Sequence, residues 1–398
     1  MKKSLLKLTS FIAFAMFFIS SCSTPVDEEL DALVENEGKS ENTSGQRTTD
    51  FLDYGIHWFA SNGSSTKAYN ENTSSAISVS SSYYNPSKPT VIYFHGWQNG
   101  SSQKGYKREN FFMNDPQNGS TVNTVAKWKQ DGWNVAIFYW NQFADESELK
   151  DAEAKIWSTS GNRGMRYRLS DGSYSTSKSP STSLGELAFR QFKAVAGNNT
   201  SGNIRIVGHS LGNQLATVVS KKISDAVQNG QLASRLMPNR LELLDPFWSK
   251  GDKSFLNGDW TGERVRNYAR EMKNENNLAI TWYKSTAILN LGIGDNNDAL
   301  KDIVALQSQR FWYLNAFQIA DKHNYVRHNY FWSYSFSAPK EVKLNWWKRR
   351  KATGNVAASA STSTSRIRSM MGDSYVWDQV EGRYTTTPAD DQFEIKNW

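Results

Sequence analysis

The sequence predicts an α/β fold with a mostly parallel central sheet, helices on both faces and lid-like insertions. Short apolar runs without polar alternation recur from residue 54 onward, as is typical of parallel strands buried on both faces. Amphipathic helix patterns separate several of these runs, as the crossover connections of a parallel sheet require. With 398 residues, 38% of them hydrophobic, the chain is long enough to bury a full core.

Seven runs of apolar, β-branched and aromatic residues are the predicted strands. They extend from Tyr54 to Phe59, Val91 to Phe94, Val135 to Trp140, Ile204 to Val207, Leu241 to Leu244, Leu278 to Tyr283 and Phe311 to Leu314. Helices are predicted over residues 146–157, 184–195 and 211–227, the last two with apolar residues on one face. Ser183 and Glu186 have the spacing of a capping box at the start of the second helix.

The sequence Gly208-His209-Ser210-Leu211-Gly212 lies between a predicted strand and a predicted helix. A strand, a G-x-S-x-G sequence and a helix in this order form the nucleophile elbow of the α/β-hydrolase fold. The two glycines leave room for a sharp turn that presents the serine hydroxyl at the sheet edge. Ser210 is therefore the predicted nucleophile.

A serine hydroxyl becomes a strong nucleophile when a histidine takes its proton and an acid orients that histidine. In α/β-hydrolases the chain order is serine, acid, histidine, so the base follows Ser210. His323 and His328 are the two histidines in that part of the chain. We favour His323, because it comes sooner after the last predicted strand and is expected in a loop, with a helix starting behind it at about Tyr325. His328 is the alternative.

Asp245 is the favoured acid. It directly follows the strand after the nucleophile, so its carboxylate belongs at the carboxyl edge of the sheet, where ligands of open α/β sheets bind. Asp295, in the loop after the following strand, is the alternative, and Asp298 is a weaker candidate. A structural aspartate in a turn before Pro246 would also explain Asp245.

Two backbone amides are needed to stabilise the oxyanion of a tetrahedral intermediate. Leu211, the residue after the nucleophile, supplies one of them. The other comes from the loop after an earlier strand, and His95-Gly96-Trp97 follows the predicted strand that ends at Phe94. The amide of Trp97 is therefore the predicted second donor, and His95 is a structural residue of that loop.

Three short motifs occur in the order found in the lipase class of α/β-hydrolases: Phe94-His95-Gly96-Trp97, Gly208-His209-Ser210-Leu211-Gly212 and Leu244-Asp245-Pro246. Together they resemble the pancreatic lipase type in particular, and Tyr330 and Ser333 after His323 are similar to that family's histidine segment. The resemblance covers about residues 88–335. It implies a carboxylic ester hydrolase that forms an acyl-enzyme, with lipid esters as the leading substrates.

The chain departs from that family in two respects. Cys22 is the only cysteine, so the family's disulfide-bounded lid cannot form, and no lipid-binding β-sandwich is recognisable after the catalytic region. Interfacial activation and triglyceride preference are therefore not implied. A polysaccharide esterase, a phospholipase A and a peptidase stay open as alternatives, and the sequence suggests no metal and no organic cofactor.

Residues 1–22 have the pattern of an export signal: basic residues, an apolar stretch that is short for a membrane-spanning helix, and small residues before Cys22. This ending resembles the lipobox of bacterial lipoproteins, in which the cysteine becomes the lipid-modified first residue. It implies an exported protein anchored to a bacterial membrane through Cys22. A plain secretory signal with an incidental cysteine is the alternative.

Composition divides the mature chain into three parts. Residues 23–50 are polar and acidic and form a predicted disordered tether. Residues 51–340 form the predicted catalytic domain, and residues 341–398 a C-terminal extension that packs on it. Within the extension, the Ser, Thr and Ala-rich residues 352–365 are predicted to be a mobile loop.

Two long segments, residues 141–182 and 246–277, do not fit the minimal alternation of strands and helices. Insertions of this length near an active-site edge are candidate lids or substrate walls. A surface elaboration without contact to substrate is the other interpretation.

The formal net charge of +7, which falls by three when the lysines of the signal leave, is too small to suggest nucleic-acid binding. Fifteen tryptophans allow a different function, because their rings could stack on sugars in a non-catalytic glycan-binding or structural lipoprotein. Most of them, such as Trp133, Trp140, Trp282 and Trp312, lie in or beside apolar strands and are expected in the core. A row of exposed rings near the site would favour glycan binding.

Overall fold

The computed structural model describes residues 51–104, 109–286, 294–345, 349–372 and 374–397. Its main feature is a twelve-stranded sheet. In chain order the strands are β1 (Gly55–Phe59), β2 (Ser65–Lys67), β3 (Thr90–Phe94), β4 (Asn134–Tyr139), β5 (Ile204–His209), β6 (Arg240–Leu244), β7 (Ala279–Lys284), β8 (Ala305–Ser308), β9 (Lys340–Leu344), β10 (Arg350–Val356), β11 (Tyr375–Glu381) and β12 (Gln392–Asn397).

The strands lie in the order β10-β9-β12-β11-β8-β7-β6-β5-β3-β4-β1-β2. All neighbours from β4 through β3, β5, β6, β7 and β8 to β11 are parallel, and antiparallel pairs occur towards both ends of the sheet. The prediction of an α/β fold with a mostly parallel sheet is confirmed. Every residue of β3, β4, β5 and β6 is buried, which explains why their sequences are mainly apolar.

Helices connect the parallel strands. The described helices are α1 (Ala126–Gln130), α2 (Asn141–Ala144), α3 (Leu149–Trp157), α4 (Leu184–Ala196), α5 (Gly212–Gln228), α6 (Thr261–Asn276), α7 (Ile319–Ser333) and α8 (Thr364–Met370). Helix α4 begins as predicted, because the Ser183 hydroxyl accepts a hydrogen bond from the Glu186 amide at 3.4 Å. Helix α5 packs on β5 and β6, and α6 packs against α5.

One predicted strand is wrong. The residues from Phe311 to Leu314 form turns, and the strand at this point in the chain is β8, which ends at Ser308. The Phe311 ring packs edge-on against Tyr325, with ring centroids 4.8 Å apart, so its apolar character serves the packing of a loop on α7. Because α7 begins at Ile319, His323 lies in the second turn of a helix and not in the predicted loop.

The prediction of a mobile loop over residues 352–365 is also wrong. Strand β10 and the start of α8 occupy this range, and most of the residues between them, 357–360 and 362, are buried. The guanidinium of Arg205 donates to the carbonyl of Ala360 at 2.6 Å, and that of Arg240 donates to the carbonyl of Thr362 at 2.8 Å. Small side chains let the segment lie close to two buried cations whose charges its carbonyls solvate. Beyond it, β11 and β12 continue the sheet.

The first half of segment 141–182 belongs to the core. Helix α2 is wholly buried, and in α3 the Lys155 ammonium forms an ion pair with Glu146 at 2.6 Å while both side chains are inaccessible to solvent. Lys155 also donates to the carbonyls of Phe143 and Arg166. This half is therefore no surface elaboration. Residues after 157 include a short hairpin, Tyr167–Arg168 with Tyr174–Ser175.

Segment 246–277 contains α6, which is the crossover between β6 and β7. Glu153 of α3 joins this segment to the first insertion. Its buried carboxylate accepts hydrogen bonds from Gln214 at 2.6 Å, from Thr261 at 2.8 Å and from the Ser249 amide at 3.1 Å. Both insertions are thereby fixed to α5, the helix that follows Ser210.

No helix within the described ranges combines the length and hydropathy needed to span a bilayer.

Candidate active site

Ser210 lies at the turn between β5 and α5, at the carboxyl edge of the parallel strands. Its φ angle of +52° is in the left-handed region, where the backbone of a residue other than glycine is strained by about 1 kcal/mol. The turn is held by the Ser210 amide, which donates to the carbonyl of Leu244 at 3.0 Å. Asn213 Nδ2 donates at 3.0 Å to the carbonyls of both Ser210 and Leu244. Ser210 thus lies on a sharp turn between a strand and a helix, where the sequence places it.

The loop after β3 packs directly on this turn. A Cβ atom on Gly212 would lie 2.2 Å from the carbonyl oxygen of His95, and one on Gly96 would lie 2.8 Å from Cβ of Ser210. Neither position has room for a side chain. The glycines therefore let the loop that carries Trp97 contact the turn that carries Ser210.

His323 and Asp245 are paired at the same edge. His323 Nδ1 lies 2.8 Å from Asp245 Oδ2, and both side chains are buried. Because a carboxylate only accepts, Nδ1 carries the proton and Nε2 is left for another partner. The Phe247 amide, two residues after Asp245, donates to the Ser210 carbonyl at 3.2 Å and so connects the loop of Asp245 to the turn of Ser210.

Two hydroxyl residues that follow β7 surround the Asp245 carboxylate. Ser285 donates its amide at 3.0 Å and its hydroxyl at 2.9 Å, and Thr286 donates its hydroxyl at 2.5 Å and its amide at 3.3 Å. Burial alone would raise the pKa of Asp245, but the hydrogen bond and charge of His323 and the bond from Thr286 lower it below its ordinary value. Asp245 is therefore ionised at neutral pH.

Sequence reasoning missed Ser285 and Thr286. The signal was available in principle, because both residues come directly after a buried strand whose carboxyl end adjoins that of β6. The sequence does not show the path of the chain after β7, and this path brings both hydroxyls to Asp245 at the end of β6.

His209, the residue before Ser210, contacts His323. Its Nε2 lies 2.7 Å from the carbonyl oxygen of His323, to which it can only donate, and the two rings lie 4.6 Å apart. Burial, together with the charges of His323 and Arg327, holds the pKa of His209 well below its ordinary value. A neutral His209 thus fixes the backbone at His323 without adding a charge to the site.

The alternative residues lie elsewhere. His328 is buried one turn further along α7, and burial with the charge of Arg327 holds its pKa well below the ordinary value. Asp295 accepts from the amide of Asn297 at 2.9 Å and packs beside Gly262 at the start of α6. Asp298 forms an ion pair with Lys301. The structure brings Asp245, and neither of the later aspartates, to His323.

The amides of Trp97 and Leu211 flank the Ser210 turn. Within the described parts of the chain, neither amide donates to a backbone carbonyl. An oxyanion hole requires two N–H groups of this kind close to the serine hydroxyl. His95 is a structural residue of this loop: it accepts at Nε2 from the Trp140 amide at 3.0 Å, and burial lowers its pKa to about 4.

The first insertion holds the Trp97 loop in place, which sequence reasoning did not predict. The Trp97 indole donates to the carbonyl of Glu146 at 2.8 Å. The buried Asp145 carboxylate accepts from the amides of Gly100 at 2.6 Å and Ser102 at 2.8 Å, and it pairs with Arg168 at 3.1 Å. Segment 141–182 therefore positions one of the predicted oxyanion donors.

The tryptophans in the described ranges do not form a surface platform. None of those in the described ranges is an exposed residue, and the buried ones are Trp58, Trp97, Trp128, Trp133, Trp140, Trp248, Trp282 and Trp377. The row of exposed rings that would favour glycan binding is absent from these ranges.

No cluster of three or more His, Cys, Asp or Glu side chains suited to a metal ion occurs in the described ranges. Cys22, the signal segment and the tether lie outside the described residues.

No protein-family model and no curated protein sequence matches the chain. Among solved structures, it is similar to a membrane phospholipase A described as a bacterial virulence factor, at 12% identity over 69% of this chain, with a TM-score of 0.21. That match covers 64% of the phospholipase, so the chain spans just under two thirds of its length.

The chain is also similar to a thermostable esterase from Pseudomonas putida, at 12% identity over 79% of this chain and 91% of that one, with a TM-score of 0.25. A variant of the esterase rPPE matches at the same identity and coverage, with a TM-score of 0.28. At these TM-scores the similarities assign no family.

Proposed function

We propose that the chain is a serine hydrolase of carboxylic esters with an α/β-hydrolase fold. The observation that carries this proposal is the buried His323–Asp245 pair, at 2.8 Å, beside a serine held at positive φ on a strand-to-helix turn. A base, an acid that orients it and a strained serine at one sheet edge are the parts that acyl transfer needs.

Each residue has a role in the proposed reaction. Ser210 Oγ attacks the ester carbonyl carbon while His323 Nε2 takes its proton, and ionised Asp245 stabilises the imidazolium through Nδ1. The amides of Trp97 and Leu211 bind the oxyanion. When the tetrahedral intermediate collapses, the carbon–oxygen bond to the alcohol breaks and His323 returns the proton to that alcohol. Water activated by His323 then releases the acid from Ser210.

The test uses the purified full chain in a non-ionic detergent. A fluorophosphonate should label it covalently, and p-nitrophenyl esters from acetate to palmitate should be hydrolysed, with Ser210→Ala abolishing both while its circular dichroism is unchanged. The preferred chain length then separates a lipid esterase from a short-acyl esterase. Labelling that survives in Ser210→Ala would place the nucleophile elsewhere, and a folded chain inactive on every ester would contradict ester hydrolysis.

We further propose that the protein is exported and anchored to a bacterial membrane through a lipid on Cys22. Support comes from the sequence, in which this cysteine directly follows a basic and apolar leader that ends in small residues. Growth with an alkyne fatty acid should label the chain in the membrane fraction, and Cys22→Ala should remove the label. Equal labelling of both chains would contradict the anchor.

A further inference from the structure

A cavity opens on the same sheet edge as Ser210, close to the first described residues. On neighbouring strands of the sheet, Gly208 pairs with Phe94, Phe94 with Phe138, and Phe138 with Ile56. Ser210 lies two residues beyond Gly208, and Tyr54 lies two residues beyond Ile56 towards the same edge. The strands of Ser210 and Tyr54 are three strand spacings apart in the sheet, which is about 14 Å. Tyr54 belongs to the wall of this cavity, which has a volume of about 580 Å³.

Part of the lining of this cavity is apolar. Phe51 and Ile77 line it, and they are among the few large hydrophobic side chains in the described ranges that are exposed, at 62% and 38%. Exposed apolar groups that share one concave surface mark a binding site more often than scattered ones do. The cavity volume is in the range of sites that enclose a small organic molecule.

Another part of the lining is cationic. Lys67, Lys178 and Arg190 line it, with Glu71 as the single carboxylate among the lining residues. Arg190 pairs with Glu71 at 3.1 Å, and Lys67 pairs with Asp53 at 2.7 Å. These two cations are therefore largely neutralised.

Lys178 differs from them. In the part of the chain that the structure describes, no carboxylate forms an ion pair with Lys178, which is exposed at the rim. Thr182 also lines the cavity, and its Oγ1 atom is buried without a hydrogen-bond partner in the same ranges. A buried hydroxyl without a partner is costly, and a ligand oxygen at this point would satisfy it.

We propose that this cavity binds an anionic amphiphile, a carboxylate or phosphate attached to an apolar chain. The anionic group is bound by Lys178 and Thr182, and the apolar chain lies against Phe51 and Ile77. The site is separate from Ser210 and does not depend on ester hydrolysis. The carboxylate could be the acid that an esterase releases, and the phosphate could be a lipid headgroup.

Calorimetric titration of the full chain carrying Ser210→Ala separates these sources and keeps hydrolysis out of the measurement. Octanoate, octyl phosphate and neutral 1-octanol are the probes. We expect one or both anions to bind at least 10-fold more tightly than octanol, and the tighter one identifies the anionic group. Lys178→Gln should weaken anion binding by about 5- to 10-fold and Thr182→Val by about 3-fold.

Lys343→Gln is the matched control, because Lys343 is an exposed lysine on β9, towards the opposite end of the sheet. It should leave binding unchanged. Equal affinity for octanol and the anions, or equal anion affinity in Lys178→Gln and Lys343→Gln, would overturn the proposal. So would the absence of binding for all three probes. None of these outcomes changes the fluorophosphonate result at Ser210, so the two proposals fail independently.

Discussion

Asp245 Oδ2 and His323 Nδ1 lie 2.8 Å apart, although the two residues are separated by 78 positions in the chain. Asp245 reaches this point from the end of β6 and His323 from the second turn of α7. The parallel sheet makes the contact possible, because it brings the carboxyl ends of β5, β6 and β7 to one edge. A base and an acid can then converge there from distant parts of the sequence.

The first prediction concerns this pair. Asp245→Asn should lower kcat on a p-nitrophenyl ester by about 1,000- to 10,000-fold, because an amide at this position no longer fixes the productive tautomer of His323 or stabilises its charge. Steady-state kinetics on the purified chain measure the effect. Asp295→Asn is the control and should be nearly silent, because Asp295 bonds to the Asn297 amide. The reverse result would transfer the role of the acid to Asp295.

The hydroxyl of Thr286 should matter for both catalysis and stability. Thr286→Val removes a hydrogen bond to Asp245, so kcat should fall by about 10-fold with little change in KM, while Thr286→Ser keeps the hydroxyl and most of the activity. The bond also lowers the pKa of Asp245, so its contribution to stability is present above the unfolded pKa and is lost as the pH falls through the folded one. The deficit in Tm of Thr286→Val should therefore shrink from pH 7 to pH 3. A deficit that is constant with pH would show a packing effect alone.

Asp145 should affect the oxyanion without contacting substrate. Its two oxygens accept from the amides of Gly100 and Ser102 in the loop that begins at Trp97, and an asparagine has only one oxygen to offer. Asp145→Asn should reduce kcat by about 10-fold and change KM little, because the donor at Trp97 is displaced in the transition state. Asp171→Asn, in the exposed hairpin of the same insertion, should change neither constant. A change confined to KM would show that Asp145 shapes substrate binding instead.

The positions of Ser210 and Asp245 in the fold could be predicted from the sequence because each lies next to a strongly patterned element. Ser210 follows a mainly apolar buried strand and precedes an amphipathic helix, and Asp245 directly follows the next strand. Local sequence indicates these positions, since parallel strands buried on both faces are rich in apolar residues. The strand-to-helix turn also restricts the residues on either side of the serine.

The parts that could not be predicted depend on tertiary contacts. Phe311 looked like part of a strand, yet it packs on Tyr325 in a loop, because apolar residues also bury loops against helices. The range 352–365 looked mobile, yet its carbonyls solvate Arg205 and Arg240, which no local pattern encodes. The link from Asp145 to the Trp97 loop depends likewise on a contact distant in sequence.

Asp391 should make the stability of the fold depend on pH. Burial, reinforced by the neighbouring Asp390, raises the pKa of Asp391 to about 8, although Gln379 donates to it at 2.8 Å. Between about pH 4 and pH 8 the folded chain therefore holds a proton that the unfolded chain has released, and the folded state loses stability as the pH rises. Asp391→Asn keeps an oxygen for Gln379 and cannot ionise. Its Tm should match that of the parent near pH 4 and exceed it increasingly up to pH 8.

Asp378, on the adjacent β11, provides the opposite case for comparison. Burial alone would raise its pKa, but hydrogen bonds from Arg310 and Lys396 lower it below the ordinary value. Its contribution to stability is thus present above the unfolded pKa and is lost as the pH falls through the folded one. Asp378→Asn should therefore lower Tm at pH 7, and the loss should diminish towards pH 3. If both variants changed Tm in the same direction at pH 7, a neutral Asp391 in the folded protein would be contradicted.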